Sequence, residues 1–498
     1  MKMGCLTTIF TRSLAMVVCV AMALALMPGL TAAAEKTTNG LEYKSYYEYV
    51  EITKYSGNAE SVAIPSQIDG MPVTAIAWRA FYNCENVTSV SIPNSVKTIG
   101  RNAFEGCTGI RNIIIPDSVT TVEDWAFISC RGLTGITFGN GVATIGKNVF
   151  EGCTSLQSVI LGNNLTSIGP SAFAGCVSLT SIALPNKLTF IGDSAFNGCK
   201  NLASVTIPNS LTTIGDSVFS GCTSLTNVTI PSSVTNLGCH AFAGCTALEA
   251  ITIPDSVTTI GDGVFSGCTG LVSAVIGDGL DNTGISTFQG CTNLKNVVIG
   301  KRVNTIHNHS FRDCTNLTSI VIPVSVTAVG YYAFKGCDNI ANVYYDSSEK
   351  DWAKIEINRS EQSNASLSNA TIHYNGTGRI TSGDGISVSV NGIPIIFDVP
   401  PIAISGTTML PVRLALEPLG AKFIWNGERQ TVTINARGKT IVLTINSDIA
   451  YVDDVAKTMA QPAMAIDGRT LIPIRFVAET LGYDVNWDGN TQTVIIKG

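Results

Sequence analysis

Histidines, cysteines and acid–base pairs are the residues here that could do chemistry, and their spacing says which chemistry is open. There are four histidines, His240, His307, His309 and His373. His307 and His309 form the one His-x-His pair, the spacing that would suit a shared metal ion. His240 and His309 occupy the same phase of a 23-residue period, three periods apart. At ~4.8 Å per stacked strand that is about 14 Å, whereas metal–ligand bonds are ~2 Å long. They cannot share an ion, and these histidines read as surface turn residues. No Ser/His/Asp set, phosphate-cradling loop or zinc-type cysteine spacing occurs. The expectation is no catalytic residue, no metal, no cofactor and no enzyme.

The cysteines are periodic. Cys84, Cys107, Cys130, Cys153, Cys176, Cys199, Cys222, Cys245, Cys268, Cys291, Cys314 and Cys337 are each 23 residues apart. They read either as a disulfide framework, as in exported proteins, or as small buried apolar side chains. Stacked neighbours would lie ~5 Å apart, close enough for a bridge. Equivalent positions in stacked repeats have parallel Cβ vectors, however, which favours reduced, buried thiols. Cys239 is off phase, beside His240, and is the best candidate for an accessible thiol.

These residues must be positioned by a repeating unit. Phe stands three residues before every ladder cysteine, from Phe81 to Phe334, and Leu, Ile or Val stands three after, as in Leu156 and Leu179. Aliphatics recur six and eight residues after, as in Val159 and Ile207, followed usually by Pro or Gly. The Leu-x-x-Val-x-Ile run alternates and so is a short strand with one buried face. Pro or Gly ends it, because Pro cannot donate to a ladder and Gly permits a tight turn. A second extended piece, such as residues 257–261, crosses the far side, and Ala-Phe-x-Gly-Cys turns the chain back. One unit cannot close a core, but a stack buries its apolar residues as ladders. Each buried aliphatic or Phe contributes roughly 1.5–3 kcal/mol. The fold class expected is an elongated solenoid of about 13 repeats, mostly β with short turns, regular over about 77–345.

The pattern Cys-x-x-Leu-x-x-Val-x-Ile-Pro-x-x-Val-x-x-Ile-Gly-x-x-Ala-Phe resembles the BspA-type leucine-rich repeat. The resemblance covers roughly residues 41–375. It implies a bacterial surface protein engaged in adhesion to host or matrix molecules. Residues 49–76 resemble a divergent first repeat, with Ile64 and Pro65 at its strand end. Residues 343–375 resemble a closing module, needed because end repeats would otherwise expose apolar ladders.

Residues 376–385 read as a linker. Beyond it a second repeat appears, offset by 62 residues: Met409 to Arg413 matches Leu471 to Arg475, and Glu417, Gly420 and Trp425 match Glu479, Gly482 and Trp487. Each half reads as strand, short helix and hairpin, with Pro411 and Pro473 at the first helical position and Gly420 and Gly482 as stops. Arg413 with Glu417, and Arg475 with Glu479, are four apart on one helix face, which favours surface pairing over ligand contact. Residues 386–498 thus form a small α+β domain with internal duplication. It resembles the copper amine oxidase N-terminal-like domain, a stalk in the parent enzymes. Their catalysis uses copper-binding histidines and a tyrosine-derived quinone in an Asn-Tyr context. This chain has no Asn-Tyr pair and no histidine after His373.

Residues 1–34 read as a signal peptide: Lys2 and Arg12, an apolar run, then Ala32, Ala33 and Ala34 before Glu35. Its removal takes the net charge from −6 to −8, since only Lys2 and Arg12 are lost. With no basic run, nucleic acid is excluded as a partner. No later apolar stretch reaches ~18 residues, so none spans a membrane after cleavage. The expected setting is extracellular or cell-surface. Partners are expected on the concave strand face, whose side chains are mostly Ser, Thr, Ala, Asn and Val. Arg111, Gln157, Glu249, Lys295 and Tyr344 are the exceptions and the candidate contact residues. Arg111 and Lys295 are eight repeats apart, about 38 Å at ~4.8 Å each, so the expected partner is an extracellular macromolecule: a matrix protein, a host surface or a cell-wall polymer. The alternative is a structural spacer or display protein whose binding resides in residues 386–498.

Overall fold

The structure is a computed structural model, and it describes residues 36–345, 347–360, 363–374, 387–391, 393–395, 401–404, 407–466, 469–489 and 493–498. The expected leader and linker lie outside the described residues. The repeats form a β-solenoid of about 13 turns with few helices. The chain divides into two units, Met1–Leu211 and Thr212–Gly498.

In the first unit, each turn contributes one strand to a long face and a two-residue strand to the opposite one. Asn112–Ile115, Gly135–Phe138 and Ser158–Ile160 pair in parallel, with Ile113 opposite Ile136 and Ile136 opposite Val159. On the other face Thr98–Ile99, Thr121–Val122, Thr144–Ile145, Ser167–Ile168 and Phe190–Ile191 pair in sequence. Every pairing joins a residue to the one a full repeat away. The register is strict because a one-residue slip would move the buried Ile and Val to solvent. Between the faces run fully buried stacks. Phe104 and Phe127 lie 4.9 Å apart and nearly parallel, and Phe127 and Phe150 lie 5.4 Å apart.

The start of this unit is a cap. Leu41–Ser45 and Val50–Tyr55 pair antiparallel, and Val50–Tyr55 then pairs in parallel with Met71–Ile76. Ser61–Ala63, just before Ile64, pairs in parallel with Ser89–Ser91. Tyr55 replaces the missing phenylalanine: its ring stacks on Phe81 at 5.4 Å.

In the second unit the long face comprises Ala250–Ile253, Ser273–Ile276, Asn296–Val298, Ser319–Ile322, Asn342–Tyr345 and Thr371–Tyr374. Its closing module is polar inside. In a regular turn the Phe N–H donates to the carbonyl of the residue just before the next repeat's phenylalanine, as Phe311 does to Ala333. Phe334 has no next repeat, and its N–H donates to Asn364 Oδ1 at 2.9 Å. Ser363 Oγ accepts from the Tyr332 N–H at 2.6 Å. Ser363 and Asn364 are almost fully buried, so this pair satisfies donors the array would otherwise orphan.

Residues 387–498 form a separate sheet assembly. Thr431–Ala436 lies within a five-stranded meander, and the duplicated motifs meet where Leu410 pairs with Ile472 and Pro411 with Leu471. The helices are Val412–Leu416 and Ile474–Thr480. Pro411 and Pro473 are N-cap residues with extended backbones, one position earlier than the sequence suggests. Each ends a strand that runs directly into its helix, so the fixed proline φ serves the strand end. Gly420 and Gly482 stop the helical segments with φ of 87° and 80°.

Candidate interaction surface

On the long strand face, Arg111, Gln157, Glu249 and Lys295 are exposed, and Tyr344 is half-buried. Burial raises the Tyr344 phenol above its ordinary pKa. Arg111 is tethered, its guanidinium donating to the Gly132 carbonyl at 3.2 Å. Arg111 and Gln157 are two repeats apart, as are Glu249 and Lys295, so each pair is separated by about 10 Å along its stack. These residues stand singly among Ser, Thr and Asn and form no cluster. The largest apolar groups on this face of the first unit are Ile114 and Ile160, 69% and 57% exposed.

The turn edge is chemically richer, and reading strand positions alone missed it. Five residues before each ladder cysteine the backbone is left-handed: φ is 56° at Arg79, 57° at Asn102, 58° at Trp125, 56° at His240 and 58° at His309. A non-glycine residue there directs its side chain outward over the next turn. In the first unit this groups aromatic and cationic residues. The Arg79 guanidinium lies 5.0 Å from the Trp78 ring centre and 4.4 Å from that of Tyr82. Trp125 has Arg101 at 4.2 Å and Lys147 at 5.6 Å. In the second unit Lys335 lies 4.0 Å from the Tyr332 ring centre, and His309 meets Tyr331 and Tyr332 edge-on. The signal was present in the sequence at positions two, five and six before each cysteine.

The His309 imidazole has its pKa lowered, first by desolvation and then by Arg312 and Lys335. His307 Nδ1 accepts from the Asn308 N–H at 2.9 Å. Among the described residues no group of three or more His, Cys, Asp or Glu is placed to hold a metal.

The thirteen described cysteines are thiols; Cys84 and Cys239 are half-buried and the rest buried. Cys239 thus shares its partial exposure with Cys84. Packing is only part of the ladder's role. Ten of the thiols donate to the carbonyl of the phenylalanine 26 residues earlier, at 2.8–3.3 Å. At the cap, Cys84 points to the Tyr55 carbonyl at 3.9 Å. Burial pushes the Cys199 and Cys268 thiols up to about 12, which removes the thiolate needed for nucleophilic chemistry.

Models of the BspA type leucine rich repeat region match residues 74–203, 166–283, 191–317 and 235–368, more than half of the chain together. The chain belongs to the BspA-type leucine-rich repeat family. This BspA-type protein also matches the copper amine oxidase N-terminal domain over residues 389–496, the non-catalytic part of those enzymes. Among solved structures it is similar to a leucine rich cell surface protein from Faecalibacterium prausnitzii, at 28% identity over 66% of this chain and 98% of that one, with a TM-score of 0.41. A leucine-rich repeat protein from Bacteroides ovatus matches at 25% identity over 70% and 99% of the two chains, with a TM-score of 0.37. A curated relative described as a protease inhibitor, from Brevibacillus choshinensis, is 29% identical over 114 residues, 22% of this chain. The chain spans about a third, 34%, of that relative's length.

In the C-terminal domain of this BspA-type protein, Arg413 pairs with Glu417 at 3.4 Å and Arg475 with Glu479 at 3.1 Å, all half-exposed. Arg475 also donates to the Val485 carbonyl at 2.9 Å. Each pair spans four residues of its own helical segment, and Arg475 in addition ties its helix to the strand that holds Val485. Among the described residues no helix is long and apolar enough to cross a membrane.

Proposed function

We propose that this protein is a secreted or cell-surface binding protein without catalysis, whose repeat array engages an extracellular macromolecule: a matrix protein, a host surface or a cell-wall polymer. The observation that carries this reading is the repetition of one solvent-facing strand surface through successive turns, with distinctive side chains on separate repeats. Arg111, Gln157, Glu249, Lys295 and Tyr344 are its proposed strand-face contacts. A small molecule could not bridge residues on repeats so far apart, whereas an extended partner gains from each turn it crosses. Buried, high-pKa thiols and the ion pairs of Arg413 and Arg475 support the absence of catalysis.

The test is a binding screen against matrix proteins and purified cell wall, followed by a truncation series removing whole 23-residue units. Affinity is expected to fall as units are deleted. If removal of four central units leaves binding unchanged, the array is a spacer and the C-terminal domain becomes the binding module.

A further inference from the structure

The turn edge of the first four ladder repeats carries a row of cations held on aromatic rings. Trp78 and Tyr82 are 61% and 40% exposed, and Arg79 between them is exposed as well. Trp125 lies between Arg101 of the preceding turn and Lys147 of the following one. Among the described residues, none of these three cations makes an ion pair. The neighbouring carboxylates are engaged elsewhere. Glu123 accepts from the Arg101 backbone N–H at 2.9 Å, Asp124 from the Lys147 N–H at 2.7 Å, and Glu105 from the Asn102 amide at 2.7 Å. Those acids brace the turns through backbone and amide N–H groups, while the side-chain charges of Arg79, Arg101 and Lys147 stay on the rings and face solvent. Arg79, Arg101 and Lys147 fall on the first, second and fourth of four successive turns, a row about 14 Å long at ~4.8 Å per turn.

We propose that this edge is a docking site for a protein segment bearing acidic side chains next to aromatic or aliphatic ones. Charge complementarity supplies the acidic requirement. Exposed Trp78 and Tyr82 supply the apolar one, and Trp, Tyr and Arg are the residues that dominate protein–protein hot spots. A neutral glycan fits less well. Its sugars would need open aromatic faces, and both sides of Trp125 are occupied by cations. Stacking on a ring also limits the motion of each guanidinium, so less freedom is lost on binding. This inference deepens the proposed binding role and rests on it.

The test uses the full chain and a labelled random copolymer of glutamate and tyrosine, with polyglutamate and polygalacturonate as comparison probes. Saturable binding of the copolymer is expected, weakening as salt rises. The Arg79→Asn, Arg101→Gln double variant is expected to bind at least about tenfold more weakly, as for a hot-spot pair. Asn suits the left-handed backbone at position 79, and circular dichroism checks the fold. Trp78→Ala, which leaves all charges in place, should also weaken binding. A Lys301→Ala, Arg302→Ala control removes two exposed cations of another turn and should change nothing. Equal weakening in that control, or unchanged binding in the double variant, would overturn the proposal. So would tighter, Arg101-dependent binding of polygalacturonate, which would assign the edge to an anionic glycan. If a matrix or cell-wall partner binds the array independently of Arg79 and Arg101, this site fails while the broader binding role stands. If the array binds no partner at all, both fail.

Discussion

The Cys130 thiol donates a hydrogen bond to the carbonyl oxygen of Phe104, 26 residues earlier, at 3.0 Å. That carbonyl sits in the dry interior, beside the phenylalanine stack; it also accepts from the Cys107 N–H at 3.1 Å, and the thiol occupies its second lone pair. A thiol is small enough for the turn, apolar enough for the core and still a donor. This accounts for cysteine at that position repeat after repeat.

The first expectation concerns thiol chemistry. In the native chain a water-soluble disulfide reagent should react with Cys84 and Cys239, the two half-buried thiols, and leave the eleven buried ones untouched. Denaturation without reductant should then expose all thirteen. Recovery of six disulfides would contradict the ladder described here.

Phe127 is fully buried between Phe104 and Phe150. Phe127→Ala should cost about 3–5 kcal/mol, the usual range for a buried phenylalanine. Arrays unfold locally, so the readout is hydrogen exchange in the flanking turns. A loss below about 1 kcal/mol would mean the neighbouring turns collapse into the space.

Asn364 closes the array through its side chain, accepting from Phe334 and donating to the Gly330 and Asn358 carbonyls at 3.0 and 2.7 Å. Asn364→Ala should lower protection of the Phe334 amide by about 1–3 kcal/mol, the cost of an orphaned buried donor. The turns around Phe265 should be unaffected. Uniform loss across the array would show that the module does not act as a local cap.

Glycine positions separate into two kinds. A Cβ on Gly132 would land on the Thr108 carbonyl oxygen, whereas around Gly175 the nearest atoms are 3.8 Å away. Gly175 is left-handed at φ 71°, and the same position holds Asn83 and Ser129 at φ 55° and 59°. Gly132→Ala should cost about 3 kcal/mol or more through overpacking. Gly175→Asn should cost less than about 1 kcal/mol, because Asn tolerates this backbone. Thermal denaturation of the two variants gives the order, and the reverse order would refute the assignment.

His309 is held below the ordinary histidine pKa by desolvation and by its two cationic neighbours. The unfolded chain therefore takes up its proton first as pH falls. The associated stability is present above about pH 6.5 and is lost on acidification through the lower folded value. Proton NMR of the imidazole should show a midpoint below about 6.5. His309→Asn should remove that part of the acid sensitivity. A midpoint above the ordinary value would mean that Arg312 and Lys335 do not face the ring.

The sequence by itself determined the solenoid, the duplicated C-terminal fold and the inward phase of Phe and Cys. It could do so because each residue pairs with the one a repeat away, as Ile113 does with Ile136, so the period and the strand register are nearly the same information. The parallel Cβ argument also led to thiols rather than disulfides. Only the tertiary structure decided where the thiol protons point, since that depends on carbonyl directions inside a turn. It likewise placed Pro411 at the N-cap and showed Asn364 in the position of a missing repeat. The turn edge was the hardest to read. Trp78, Arg101 and Lys147 stand six residues before their ladder cysteines, Arg79 and Trp125 five before and Tyr82 two before, spread over four different turns. The left-handed backbone at Arg79 and Trp125 and the stacking of successive turns bring them together, and the stacking is not a property of any one repeat.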